Sequence, residues 1–388
     1  MDGSADCVVV GGGLVGTALA LELGLRGATV VVVDRHDPGR ASDAGAGILS
    51  PETSQDPSAG AFAVGIAAAG HYERLTDRAG ADGDVGAGYA RTGSLLVAER
   101  PGDDATMDAA ASLILGRGVG VEEVDPLGAR GHFPVLGTVR RALHNPHARR
   151  VDGRVLRNAL QAEAERLGAT WRHGRVTGMV TAGERVQGVR TDGGDIATGA
   201  VALCGGAWTG ELAGDLGVDL PVGPLKGQIV HLRLAGVDTS AWTIVQPVLG
   251  FYLVPWPDGR IACGGTMEAA AGFDHRVTAD GVHQLLREGL RTAPGLGAAE
   301  VVEVRVGSRP VTSDGVPLVG AVPGWSNVFL ATGHGADGLL LGPWSAAVLA
   351  DPMVGASGAG RPDRPLHSVA DPVVAAELAR WSPDRFGG

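Results

Sequence analysis

Three glycines near the start of the chain have the spacing of a phosphate-binding loop. Gly11, Gly13 and Gly16 follow a short apolar run and precede a segment with helical spacing of Leu and Ala. In such a loop the first glycine permits a tight turn, the second lets the backbone approach a pyrophosphate, and the third allows close helix packing. The helix N-terminus offers free N–H groups to the phosphates. The segment therefore predicts a dinucleotide site that includes Leu14 and Val15.

An acidic residue ends the next apolar run. Residues 29–33 are rich in β-branched side chains and predict a strand, and Asp34 closes this strand. The acid stands about 20 residues after the glycines, where a carboxylate can accept hydrogen bonds from ribose hydroxyls. Strand, glycines, helix, strand and acid in this order predict a nucleotide-binding βαβ unit. These features alone do not distinguish FAD from NAD.

Composition and charge argue against several classes of partner. A length of 388 residues predicts two or three domains, and we expect two. The net charge of −11, without clusters of Lys or Arg among aromatics, argues against nucleic acid. No apolar run reaches the roughly 20 residues of a membrane span, and the start lacks a cationic segment, so we expect a cytoplasmic protein. Cys7, Cys204 and Cys263 lie far apart, so neither disulfides nor a metal site is expected.

Eight further stretches of the chain form an ordered set. They are 44–51 (AGAGILSP), 201–208 (VALCGGAW), 221–228 (PVGPLKGQ), 252–266 (YLVPWPDGRIACGGT), 272–281 (GFDHRVTADG), 307–320 (GSRPVTSDGVPLVG), 332–343 (TGHGADGLLLGP) and 381–386 (WSPDRF). Each stretch is weak alone, but the ordered set is specific and runs nearly end to end. In this order the stretches resemble the glycine oxidase and D-amino acid oxidase family of FAD-dependent oxidoreductases.

The resemblance implies an α/β fold in which a Rossmann-type FAD-binding domain is discontinuous. An α+β substrate domain, built on a mainly antiparallel sheet, is inserted between its pieces. The order of predicted strands and helices along the chain agrees with this arrangement. We assign residues 1–78, 145–220 and 303–388 to the FAD-binding domain, and residues 79–144 and 221–302 to the substrate-binding domain.

The resemblance also implies which residues contact the flavin dinucleotide. Small residues near position 45 would let the chain pass the flavin ring, and the backbone of Val176 would cradle adenine. A helix beginning near Gly338 would direct its N-terminus at the pyrimidine edge, where its dipole favours the reduced flavin. Beyond the first loop, the predicted contacts are Asp34, Arg35, Ser42, Gly45, Ala46, Gly47, Val176, Gly205, Gly206, Trp208, Gly333, His334, Gly335, Ala336, Asp337, Gly338 and Leu339.

Two residues match the tyrosine and arginine with which the family holds an α-carboxylate. These are Tyr252 and Arg309. A guanidinium meets a carboxylate with two parallel hydrogen bonds, and a phenol adds a third, which orients the substrate. Two structural alternatives stay open, in which Arg309, in a predicted Gly-Ser-Arg-Pro turn, caps carbonyls and Tyr252 is a sheet aromatic. The residues expected to line the substrate pocket are Ile48, Gly250, Met267 and Ala336.

The implied reaction is the oxidative deamination of a small amino acid or secondary amine. The α-carbon gives a hydride to flavin N5, O2 is the acceptor, and the products are H2O2 and an imine that hydrolyses to an oxo acid. No acid or base side chain is needed, so His334 and the other histidines are expected to be solvated or core residues. A dehydrogenase that uses a quinone or another electron acceptor, and a catalytically lapsed flavin-binding protein, stay as alternatives.

Departures from the family pattern give two further expectations. Gly335 and Ala336 stand where relatives usually carry an aromatic or basic residue, and Gly250 stands where they carry a bulkier one. We therefore expect a pocket that accepts something larger than glycine. The C-terminal flavin segment has no cysteine, unlike that of the sarcosine oxidase relatives, so FAD should be non-covalent. The sequence leaves the oligomeric state open, a homo-oligomer included.

Overall fold

The described part of the chain is built on two large β-sheets and one small sheet. This computed structural model describes residues 4–79, 88–214, 216–248, 250–359 and 369–386. Within those residues each large sheet has eight strands, and the small sheet has three. The predicted α/β architecture is confirmed, whereas the division of the chain into two domains stays a prediction.

The strands and helices are numbered here along the chain. The strands are β1 (Ser4–Val10), β2 (Val30–Asp34), β3 (Ile48–Leu49), β4 (Tyr89–Arg91), β5 (Ser94–Ala98), β6 (Glu122–Val124), β7 (Arg141–Asn145), β8 (Arg149–Val151), β9 (Thr170–His173), β10 (Val176–Ala182), β11 (Arg185–Thr191), β12 (Gly194–Leu203), β13 (Val222–Arg233), β14 (Ile244–Pro247), β15 (Tyr252–Pro255), β16 (Arg260–Gly264), β17 (Glu300–Thr312), β18 (Leu318–Ala321) and β19 (Val328–Thr332). The helices are α1 (Leu14–Leu25), α2 (Ala41–Ala44), α3 (Ala59–Ala79), α4 (Asp104–Gly116), α5 (Pro126–His132), α6 (Gly153–Arg166), α7 (Thr209–Gly214), α8 (Ala279–Thr292), α9 (Gly338–Ser357) and α10 (Pro372–Arg380).

The first sheet carries the predicted βαβ unit. Strand β1 pairs in parallel with β2 on one side and with β12 on the other, and β19 and β9 extend the parallel part. Helix α1 makes the crossover between β1 and β2. Cys7, Val8 and Val9 are fully buried, which is typical of a parallel strand covered on both faces. The glycine loop therefore lies between the carboxyl end of β1 and the N-terminus of α1, as the sequence predicts.

Helices α1 and α9 pack together as core helices. Leu19, Leu21 and Leu23 of α1 and Trp344 of α9 belong to one buried apolar cluster. The segment Gly335–Ser357 is long and apolar enough to cross a membrane, but most of its apolar stretch is buried within the protein. A helix that is apolar all round and packed inside a protein has the character of a core element.

The second sheet is mainly antiparallel, as predicted. Its strand order is β17-β13-β16-β15-β14-β5-β7-β6, and of these pairs only β14 with β5 is parallel in the described chain. One face packs on α8 through a cluster that includes Val230, Leu253 and Leu285. The other face buries Ile229 and Val254 against residues of the connection that follows β2. This second face borders the space between the two sheets.

The segment that contains Arg309 is a strand, so the predicted turn is wrong. Arg309 lies on β17 and pairs with Leu225 of β13. Proline has no N–H to donate and usually signals a turn, yet it is tolerated on an edge strand. Strand β17 is at the edge of its sheet, where Pro310 lies opposite Pro224. The strand geometry gives Arg309 a defined direction.

The long connection after β2 is more ordered than its Gly-rich composition suggests. It contains the short helix α2 and the strand β3, which pairs with β8 in the small sheet.

Asp152 caps α6 by accepting from the N–H groups of Arg154 and Val155. The same carboxylate lies 3.4 Å from Arg260 of β16. These contacts join the layers that border the central cavity.

Candidate active site

A cavity of about 780 Å³ lies between the two large sheets. One wall, which we call the glycine wall, consists of Gly11, Gly12, Gly13, Gly205 and Gly206. Another part of the lining carries the side chains of Tyr252 and Arg309, which we call the anchor pair. The volume is within the range of about 300–1,000 Å³ that ligand sites usually have.

Backbone packing explains two of the three predicted glycines in the first loop. Gly11 has a φ of 110°, and a Cβ there would overlap the carbonyl oxygen of Cys204. A Cβ on Gly16 would overlap the carbonyl oxygen of Gly11. At Gly13, in contrast, the nearest atom to a Cβ would be Ser42 Oγ at 3.5 Å. Gly13 therefore leaves open space on the cavity side, which is the space a pyrophosphate would need.

Asp34 is held by its neighbours at the end of β2. Its carboxylate accepts from Arg40 Nη2 at 2.5 Å and from the N–H of His36 at 3.0 Å. A Cβ on Gly12 would lie 2.5 Å from Asp34 Oδ2, so the middle glycine of the loop gives the acid its place. Sequence reasoning missed both Gly12 and Arg40. The only sequence signal for Arg40 is a cation six positions after the acid.

The glycines near position 45 are small because of protein contacts. A Cβ on Gly47 would overlap the carbonyl oxygen of Val151, and a Cβ on Gly45 would lie 2.6 Å from Leu339 Cδ1. The N–H of Val151 donates to the carbonyl of Gly47 at 2.9 Å. The reason inferred from sequence, collision of a Cβ with the flavin ring, is therefore not the only one. These contacts place the Gly45–Gly47 segment on the cavity wall beside α9.

The turn before α9 also faces the cavity. His334 is buried, and its Nε2 lies 3.0 Å from Ser345 Oγ. Burial lowers the pKa of His334 to about 4, so its imidazole is neutral at physiological pH. Burial raises the pKa of Asp337, and the nearby Asp56 carboxylate adds to this effect. The N-terminus of α9 thus presents a neutral histidine and a carboxyl group of weakened acidity.

The structure brings almost all of the predicted site residues to one cavity. Gly16 and Gly333 are the two that do not line it, because both pack against protein behind the wall. The predicted residues on the wall are Gly11, Gly13, Leu14, Val15, Asp34, Arg35, Ser42, Gly45, Ala46, Gly47, Ile48, Val176, Gly205, Gly206, Trp208, Gly250, Tyr252, Met267, Arg309, His334, Gly335, Ala336, Asp337, Gly338 and Leu339.

The anchor pair is assembled by strand pairing in the second sheet. Tyr252 begins β15, Arg309 lies on β17, and β16 and β13 stand between them. The Tyr252 hydroxyl and the Arg309 guanidinium lie side by side next to Gly265. Arg309 Nη1 also donates to the carbonyl oxygen of Thr266 at 3.1 Å. Among the described residues, Arg309 makes no ion pair with a carboxylate, so a guanidinium with spare donors faces the cavity.

Three glycines make room for the anchor pair. A Cβ on Gly227 would overlap Arg309 Nη1, and one on Gly264 would overlap the Tyr252 hydroxyl. A Cβ on Gly265 would lie 2.7 Å from the Tyr252 hydroxyl and 3.2 Å from Arg309 Nη2. Sequence reasoning missed these three positions as site residues. Their role follows from contacts across strands, which the spacing of glycines along the chain does not reveal.

The anchor pair has a defined protonation state. Burial raises the pKa of the Tyr252 phenol to about 12, and the Arg309 guanidinium opposes this rise. The phenol is therefore protonated at physiological pH. A protonated phenol and a guanidinium both donate hydrogen bonds, so the pair is suited to binding an anion.

The rest of the pocket near the anchor pair is mainly apolar. Met267 has 67% of its surface exposed, and it lines the cavity. Ile48 packs in the same cluster as Tyr252. No atom lies within 4 Å of the position that a Cβ on Gly250 would take. Further lining residues that sequence reasoning missed are Leu96, Gln246, Val248 and Phe251.

A strand–glycine loop–helix unit and a pair of hydrogen-bond donors suited to an anion line the same cavity. Residues 6–351 match the model of the DAO family, described as FAD dependent oxidoreductase. The chain belongs to this family. A Cβ on Gly13 would meet no atom closer than 3.5 Å, and a Cβ on Gly335 would meet none within 4 Å. This open space fits a flavin dinucleotide on these walls. The protein is therefore an FAD-dependent oxidoreductase.

Known proteins similar to this chain cover nearly its whole length. It is 36% identical over 352 residues to the uncharacterized oxidoreductase YurR of Bacillus subtilis, covering 90% of this chain and 94% of that protein. It is 33% identical over 358 residues to the glycine oxidase of Pseudomonas putida, covering 91% and 95%. The crystal structure of iminodiacetate oxidase from Chelativorans sp. BNC1 has a TM-score of 0.86 at 33% identity, covering 93% and 97%.

Proposed function

We propose that this protein oxidises the carbon–nitrogen bond of a small amino acid or secondary amine. The observation that carries the proposal is the Arg309 guanidinium, which makes no ion pair within the described chain and shares the cavity wall with Tyr252. The glycine wall of the same cavity fits the cofactor. Two similar proteins are named for glycine and iminodiacetate, which are amines that carry a carboxylate.

Each residue of the anchor pair has a distinct role in this proposal. Arg309 binds the α-carboxylate through two parallel charge-assisted hydrogen bonds, and Tyr252 donates a third. These bonds fix the orientation of the α-carbon, which is how binding energy lowers the barrier when a cofactor performs the hard step. Met267 and Ile48 exclude water from the side of the bound substrate, as their place on the wall indicates.

The proposed reaction removes a hydride from the α-carbon and a proton from the amine nitrogen. Bound FAD would supply the hydride acceptor, and O2 would take up the two electrons and two protons as H2O2. The substrate leaves as an imine, which water hydrolyses to an oxo acid and an amine or ammonia. The substrate must lose its ammonium proton before oxidation. We propose no base for this loss, because His334 is buried against Ser345.

We further propose that FAD is bound without a bond to cysteine. Cys7, Cys204 and Cys263 are buried, and burial raises the pKa of each thiol to about 12. A thiolate is the nucleophilic form of cysteine, and it is scarce at such a pKa. Acid precipitation should therefore release all yellow colour into the supernatant. Colour that stays with the protein pellet would contradict non-covalent binding.

The pocket supports a substrate larger than glycine. Gly250 and Gly335 leave space where a Cβ would meet no atom within 4 Å, and Ala336 adds a small side chain. Turnover of glycine, alanine and leucine, in both stereochemical forms where they exist, measures the size preference. We expect kcat/KM to be higher for at least one larger amino acid. Glycine turnover equal to or better than that of all larger amino acids would contradict this part of the proposal.

The proposed reaction is tested by flavin bleaching without oxygen. The FAD-loaded protein is mixed anaerobically with glycine, sarcosine, iminodiacetate and the D- and L-amino acids, and the loss of the oxidised flavin absorbance is recorded. We expect at least one amino acid or amine to bleach the flavin. Peroxide release on admission of air distinguishes O2 from a quinone as acceptor. Flavin that no amine bleaches would overturn the proposed function.

A further inference from the structure

An ion pair between a buried lysine and a partly exposed glutamate lies close to the anchor pair but outside the cavity wall. The side chain of Lys226, on β13, is 1% exposed, and its Nζ lies 3.1 Å from Glu268 Oε2. The backbone N–H of Glu268 also donates to the carbonyl of Lys226 at 2.9 Å. Neither residue lines the cavity. A charge buried to this extent is costly unless it is paired, so the position of Glu268 is tied to that of Lys226.

Glu268 holds the residue that precedes Met267. Its Oε1 accepts from Thr266 Oγ1 at 2.6 Å and from Gln228 Nε2 at 2.7 Å. The backbone N–H of Gln228 donates to Thr266 Oγ1 at 2.9 Å, and the N–H of Thr266 donates to the Gln228 carbonyl at 3.1 Å. Thr266 is therefore held from both its side chain and its backbone.

The carbonyl of Thr266 is the acceptor for Arg309 Nη1, at 3.1 Å. A continuous series of contacts thus runs from Lys226 through Glu268 and Thr266 to the guanidinium of Arg309. The direction of a guanidinium fork decides whether it meets a carboxylate with two hydrogen bonds or one. The carbonyl of Thr266 occupies one donor of Arg309 and so limits the rotation of the fork.

We propose that the Lys226–Glu268 ion pair is a positioning element that sets the Arg309 guanidinium for the substrate carboxylate. The inference rests on the proposed function, because it assigns Arg309 to a carboxylate. Neither Lys226 nor Glu268 touches the substrate. Their effect passes through Thr266, whose carbonyl moves when its side-chain contact with Glu268 is lost.

The Glu268 carboxylate of this ion pair is stabilised in its charged form. Burial alone would raise the pKa of Glu268, but hydrogen bonds from Thr266, Gln228 and Lys226 hold it below its ordinary value. Glu268 is therefore ionised at neutral pH. The other charged or titratable groups near Lys226 are Asp274, whose pKa is lowered mainly by Arg276, and His275, whose pKa is lowered by burial and by Lys226.

The experiment compares Lys226→Met, Glu268→Gln and the double variant with the wild-type holoenzyme. Binding of acetate, a carboxylate without an amine, is measured by its perturbation of the flavin absorbance. Kinetics are measured with the amino acid that bleaches the flavin fastest. We expect each single variant to raise the acetate Kd and the KM by about tenfold, the effect of about 1.4 kcal/mol. The FAD content and kcat should change by less than about threefold.

The double variant and a control pair separate positioning from a loss of folding. The double variant leaves no unpaired charge, so it should recover thermal stability while keeping the raised acetate Kd. Arg233 is the matched control, because it lies on the same strand and pairs with Asp258 at 3.4 Å, with side chains 38% and 52% exposed. Arg233→Met should leave the acetate Kd and KM unchanged.

The outcomes distinguish this inference from the proposed function. The positioning role alone would be overturned if acetate Kd and KM are unchanged in folded Lys226→Met, Glu268→Gln and double variants while Arg309→Met binds acetate more weakly. If Arg309→Met also binds acetate as the wild type does, the proposed function has failed at its anchor. If a single variant does not fold, the double variant decides between the two results.

Discussion

The glycine wall and the anchor pair line one cavity but are built in opposite ways. The glycine wall works through backbone and through missing side chains, and Gly11 and Gly13 are close neighbours in the sequence. The anchor pair works through two large side chains, and Tyr252 and Arg309 meet only because β15 and β17 belong to one sheet. A backbone motif is therefore visible in local spacing, whereas a side-chain pair depends on the fold.

The largest effects are expected in the loop of residues 11–16, which carries part of the glycine wall. A Val side chain at Gly16 would overlap the carbonyl oxygen of Gly11, so Gly16→Val should lose bound FAD and lower the melting temperature. Gly13→Ala is the sharper variant, because a Cβ there would meet no protein atom closer than 3.5 Å. It should leave the melting temperature of the flavin-free protein unchanged and still weaken FAD binding.

Flavin content and thermal unfolding check both glycine variants. Equal FAD affinity in Gly13→Ala and wild type would show that the pyrophosphate does not lie against this glycine.

The next effect is expected at the anchor pair. Arg309→Met removes two charge-assisted hydrogen bonds, each worth about 1.5–3 kcal/mol. We expect kcat/KM to fall by about a thousandfold, while the FAD content stays the same. Arg309→Lys keeps the charge but not the fork, so its loss should be intermediate. Steady-state kinetics on both variants measures the effect. A loss shared equally by amines without a carboxylate would mean that Arg309 serves the fold instead.

A smaller effect is expected at Tyr252. Tyr252→Phe removes one hydrogen bond and keeps the ring, so kcat/KM should fall by about tenfold to a hundredfold. Because the pKa of Tyr252 is about 12, its phenol does not ionise between pH 6 and about 10. The pH profiles of the wild type and Tyr252→Phe should therefore have the same shape over this range. A new ionisation near pH 9 in the wild type alone would contradict the protonated phenol.

His334 is expected to have the smallest effect on turnover, and its substitution should instead change how stability depends on pH. Its folded pKa is about 4, below the ordinary value of 6.5 in the unfolded chain. The unfolded state therefore binds a proton first as pH falls, and the free energy of unfolding decreases through the window from 6.5 to 4. At pH 5 the loss is about 2 kcal/mol. Urea unfolding of the flavin-free wild type and His334→Gln checks this, and equal slopes against pH would contradict it.

Local patterns predicted the elements and the cofactor loop. The run of Leu and Ala after Gly13 predicted α1, and the β-branched run of residues 29–33 predicted β2. The turn predicted around Arg309 was wrong. A proline predicts a turn in sequence, and the sequence does not show that this strand lies at the edge of a sheet, where proline is tolerated. Arg40 was missed since its contact with Asp34 depends on how the connection folds back.

The surroundings of the anchor pair show the same limit. Gly227, Gly264 and Gly265 carry no signal of a site in the sequence, yet each gives space to a side chain on another strand. The Lys226–Glu268 pair was missed for the same reason, since its partners come together only by pairing of strands and loops. Contacts across strands are set by register, which single-sequence patterns do not encode.

We propose that the glycine wall holds a flavin and the anchor pair holds a carboxylate within one cavity. A crystal structure of the protein with FAD and acetate would locate both groups. We predict the pyrophosphate at Gly13 and the acetate within about 3 Å of Arg309 and Tyr252, against the flavin ring. Acetate bound elsewhere, or a flavin ring remote from the anchor pair, would contradict the account.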